Sequence, residues 1–137
     1  MKNTMAFAMA LIFSMFLGST AFADGMGEGS GSRSHKVIEQ ANPALGFSAG
    51  ANSDASMHNE EGISHYNQGH YDVALTHFTA AAKIDPSAGA SHYNIALCLD
   101  KLGLHGDATK QFQLAKDKAD GRKEILESGI LNSHLGG

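Results

Sequence analysis

Cysteine is nearly missing from this chain: Cys98 is the only one in 137 residues, so no intrachain disulfide can form. Its place between Leu97 and Leu99 marks it as a small buried packing residue rather than a reactive thiol. Positive charge is scarce too, with ten Lys and Arg against fourteen Asp and Glu. That balance excludes nucleic acid and anionic membrane as main partners, because both need a basic surface. The apolar run Met5–Leu17 falls short of the roughly 20 residues that span a bilayer. Also missing are G-x-S-x-G, a P-loop, H-E-x-x-H and any nucleophile visibly paired with a base. Glu60-Glu61 is no catalytic pair, since adjacent helical residues point about 100° apart. The chain is therefore read as not an enzyme, with no catalytic residue and no cofactor.

What is there begins with a leader. Met1-Lys2 supplies a positive start, the apolar run follows, and Ala21-Phe22-Ala23 forms an A-x-A cleavage site before Asp24. Residues 1–23 read as a secretory signal peptide cut at Ala23/Asp24, which places the mature protein in the periplasm or outside the cell. With the leader gone, no stable membrane insertion is expected. No Cys opens the mature chain, so a lipoprotein anchor is not expected either. Residues 24–53 form a flexible arm, Gly/Ser-rich at its start, with too little to bury for an independent fold. Its Val37, Ile38, Leu45 and Phe47 are apolar, and part of the arm is a candidate to fold back on the rest of the chain.

Residues 55–122 carry one 34-residue pattern twice, so that His58 meets His92, Gly69 meets Gly103, Ala74 meets Ala108, Phe78 meets Phe112 and Ala81 meets Ala115. A period of this length signals stacked units, each covering the apolar face its neighbour exposes. Asn52-Ser53-Asp54 offers N-cap chemistry for a first helix over 55–68. Gly69 then turns the chain into a second helix over 71–84. The second copy predicts helices over 87–102 and 106–118 around Gly103. Ile125, Leu126, Ile130, Leu131 and Leu135 predict one amphipathic capping helix from Arg122 to about His134. The fold class is all-α: two helix-turn-helix repeats and a C-terminal capping helix, a short α-solenoid over 55–135.

The motifs E-E-G at 60–62, G-x-Y at 69–71, Ala74, Phe78, Ala81 and Pro86, then Y-N-I-A-L at 93–97, Gly103, Ala108, Phe112 and Ala115, give the chain its likeness. The chain resembles the tetratricopeptide repeat (TPR) family over roughly residues 55–120. Departures from the family pattern are Glu61 for Leu, His65 for Tyr, Asp120 for Pro, and His58 and His92 where a large apolar residue is common. The resemblance implies a concave recognition face lined by the first helix of each pair. By position that face is Asn59, Ile63, Tyr66, Asn67, Tyr93, Asn94, Leu97, Asp100 and Lys101. It also implies a protein-protein interaction module, an adaptor or assembly scaffold whose partner is another protein or peptide of the cell envelope. The family's carboxylate clamp is absent here. Two visible repeats are fewer than the three expected for independent stability, so either the arm and cap complete the core or the chain forms a homo-oligomer.

Eight histidines prompt an alternative, a His-rich metal-binding or metal-dependent interaction protein. His58 and His65 share a helix face that His92 can approach from the next repeat, and His70 and His77 repeat their spacing. No H-x-x-x-H or C-x-x-C-H occurs, so no residue is assigned to metal.

Overall fold

The structure is a computed structural model that describes residues 42–136. The signal-peptide expectation and the 24–41 part of the arm lie outside the described residues. Within them the chain is all-helical: α1 (Ser53–Asn67), α2 (Tyr71–Ile84), α3 (Gly89–Lys101), α4 (His105–Asp117), α5 (Lys123–Leu126) and α6 (Gly129–Leu135). Among the described residues no helix is long and apolar enough to cross a membrane.

Local chemistry sets these bounds. The Asn52 side chain accepts from the amides of Asp54 and Ala55, filling two of the unpaired donors of the α1 first turn. At the other end Gly69 takes φ +81°, which lets His70 donate back to the His65 carbonyl. Gly103, at φ +78°, repeats the device after α3, with Leu104 donating to Leu99. Asp85 stops α2 and accepts from Ser87, so Pro86 lies in the turn between the two copies.

The repeat unit is a pair of helices packed side by side, α1 with α2 and α3 with α4, and α2 joins the pairs by packing on α3. Phe78 and Phe112, the large residues of the repeat, are fully buried, as are Ala74, Ala81, Ala108 and Ala115. Gly62 is small because α2 comes close: a Cβ there would stand 2.6 Å from Cε1 of Phe78. Burying each Phe side chain contributes on the order of 2 kcal/mol.

Two expectations are corrected. The capping segment is two short helices, not one. Ser128 takes an extended conformation and its hydroxyl accepts from the Leu131 amide, starting α6 afresh while also bonding the Tyr93 hydroxyl at 2.9 Å. Ile125 of α5 and Leu131 of α6 still bury fully, so both pieces close the stack. The second correction is to the extent of the flexible arm, since the fold-back open to it does occur at Leu45. Residues 42–52 are not a loose linker. Asn42 to Phe47 runs without helix across the repeats, with Ala44 and Leu45 packed against the core, and Asn52 is the α1 cap.

Candidate functional site

The face shared by α1 and α3 is lined by side chains that grip this segment of the same chain. Asn94 does most of the gripping. Its Oδ1 accepts from the Leu45 amide at 2.7 Å, and its Nδ2 donates to the Leu45 carbonyl at 2.8 Å. One side chain thus satisfies both polar groups of one residue, as a neighbouring strand would. Asn59 adds a second donor to the same carbonyl at 2.9 Å and accepts from Asn94 at 2.8 Å. Both amide orientations are fixed by this network, and both asparagines are fully buried.

The grip extends along the segment. Tyr66, about two turns beyond Asn59 on α1, donates its hydroxyl to the Asn42 carbonyl at 3.1 Å. Burial pushes its phenol well above the usual tyrosine range, holding it in the donor form. At the other end Arg122, just before α5, donates to the Gly46 carbonyl at 2.9 Å. Four side chains from three parts of the fold therefore read backbone carbonyls and one amide, which gives recognition of extended chain with little dependence on its sequence.

The nine residues expected to line the recognition face divide. Asn59, Tyr66 and Asn94 contact the segment directly. Leu97 is buried and Ile63 half-buried in the core. Tyr93 is also core: it packs edge-on against Phe112 and bonds Ser128, and burial raises its phenol above the usual value. Asn67 and Lys101, at the helix ends, are exposed. Asp100 belongs to a separate cluster, with Oδ1 2.9 Å from His105 Nδ1 and 3.0 Å from His134 Nε2. Sequence reasoning missed Arg122, whose partner lies 76 residues away, and no local pattern marks such a contact. It also left apart His58, Glu61 and His77, which α1 and α2 bring together. Cys98 is buried as expected, its thiol pushed up to about 12 by desolvation, which keeps it inert.

Paired helices stacked in register, with a groove on the first helices of each pair, define a helical-repeat protein of the solenoid class. A family model, Tetratricopeptide repeat, matches residues 59–122, so the paired helices of that stretch are repeats of the tetratricopeptide type. Repeats of this kind generally mediate protein-protein interaction and are typically non-catalytic. No curated protein matches the chain.

Proposed function

We propose that this protein is an exported adaptor of the cell envelope, non-catalytic, that takes an extended peptide of a partner protein in the α1/α3 groove. The observation that carries the reading is the two-pronged hold of Asn94 on Leu45, a contact suited to any extended backbone. In this reading the segment 42–47 is a built-in stand-in for the partner's peptide, released when the partner arrives. Export rests on the leader-like residues 1–23 and their A-x-A site.

Tyr66 and Tyr93 are poor probes of binding, because both are buried and their loss would loosen the fold. Leu45→Gly is the better variant: it removes the apolar seat of the segment and leaves every groove residue in place. Used as bait in envelope extract, it should capture more of a specific partner than the wild-type chain does. Equal capture by both would move the partner off the groove. Enrichment of the chain itself would instead favour exchange of the 42–47 segment between copies, a homo-oligomeric scaffold.

A further inference from the structure

The two repeats serve as controls for one another. Where the second has His92, Ile95, Leu99, Leu104 and Gln111, the first has His58, Glu61, His65, His70 and His77. Three apolar positions have thus become a carboxylate and two imidazoles, and a glutamine has become a third. Packing of the helix pair does not demand this, since α3 and α4 pack with the apolar set. In the second repeat His92 Nδ1 and Gln111 Oε1 form an ordinary hydrogen bond of 2.9 Å. In the first, the corresponding pair instead turns toward Glu61.

The resulting geometry suits a metal ion. Glu61 Oε2 lies 3.0 Å from His77 Nδ1 and 3.5 Å from His58 Nδ1, and the three ligand atoms fall within 4.8 Å of one another. Tetrahedral bonds of about 2.0–2.2 Å set ligand atoms about 3.3–3.6 Å apart, so small side-chain adjustments bring all three onto one ion. The His58 Nδ1 is buried with no hydrogen-bond partner, the Glu61 oxygen being too far to serve. A nitrogen desolvated but unpaired is already stripped for coordination. Beside it His65 stacks on His77 at 5.4 Å, nearly parallel at 11°, which fixes the plane of that ring.

We propose that His58 Nδ1, Glu61 Oε2 and His77 Nδ1 bind a divalent transition-metal ion of the zinc, copper and nickel group. Two imidazoles and one carboxylate match those ions, whereas calcium and magnesium prefer all-oxygen sites. The rest of the coordination sphere falls to water or to a partner's side chain, because Glu61 is half exposed. The cluster of Asp100, His105 and His134 is not assigned this role, since its rings are already engaged. His134 bonds Asp100 through Nε2 and Thr109 through Nδ1, and rests on Phe112 at 4.9 Å.

The untagged full chain, titrated calorimetrically with Zn²⁺, should bind one ion. His77→Gln and Glu61→Ile install the residues of the second repeat, so α1 and α2 should fold with circular dichroism unchanged. Each should weaken binding by more than the roughly 10- to 100-fold that loss of an outer-shell partner costs. His105→Ala, in the other cluster, should leave one ion bound. Histidine ring NMR of the wild-type chain gives a reading that does not depend on any variant folding. His58 and His77 should move on Zn²⁺ addition while His105 and His134 stay. Lack of Zn²⁺ binding by the wild type, binding that survives both substitutions, or ring shifts confined to His105 and His134 would each overturn the site.

Discussion

Glycine at position 62 is a packing decision that the second repeat resolves differently, with Ala96. The difference lies in how near the phenyl ring comes. A Cβ at position 62 would meet Cε1, Cδ1 and Cζ of Phe78 at 2.6, 2.7 and 3.0 Å, and Phe78 is fully buried with nowhere to swing. Gly62→Ala therefore sets the small gain in helix propensity against overpacking of about 1–3 kcal/mol. A urea melt should show a lower midpoint for this variant. The same scale is where the sequence is most legible. Phe78, Phe112 and the small alanines stand at fixed repeat spacing, and each Phe meets a residue of its own helix pair, Phe78 at Gly62 and Phe112 at Tyr93. His58, Glu61 and His77 are legible in principle, by laying one repeat on the other, but their convergence needs the α1–α2 register and not helix spacing alone.

Among the elements, the 42–47 segment is held by contacts no sequence pattern announces. It has neither the period of a helix nor the alternation of a strand, and its partners stand up to 76 residues away. The cap departs from expectation for a related reason. Ile125, Leu126, Ile130 and Leu131 fit one continuous apolar stripe, which masks the plain N-cap signal of Ser128-Gly129. Asn94→Ala tests the segment directly. It leaves the Leu45 amide without its partner and removes one of two donors to the Leu45 carbonyl. An unpaired buried group costs about 1–3 kcal/mol. Hydrogen exchange across residues 42–50 should quicken in this variant while that of α4 holds. Equal protection in variant and wild type would mean that apolar packing alone seats the segment.

At the scale of the molecule, two raised phenols tie stability to alkali. Tyr66 and Tyr93 both titrate above their unfolded value because burial opposes the phenolate. The stability they lend is whole below the unfolded tyrosine value of about 10 and is lost as pH rises beyond it. The melting temperature should hold from neutral pH to about 9 and fall above 10, with tyrosinate absorbance appearing together with loss of helix. Phenolate absorbance of all three tyrosines rising before the helices melt would contradict this coupling. The segment that Tyr66 helps to hold has a last consequence, one of competition. Being joined to α1 by only residues 48–52, it faces its groove at an effective concentration on the order of millimolar. A free peptide with the same backbone contacts would lose to it at micromolar levels. Any partner that enters must therefore bring a second foothold elsewhere on the molecule, or arrive as a crowded array of copies.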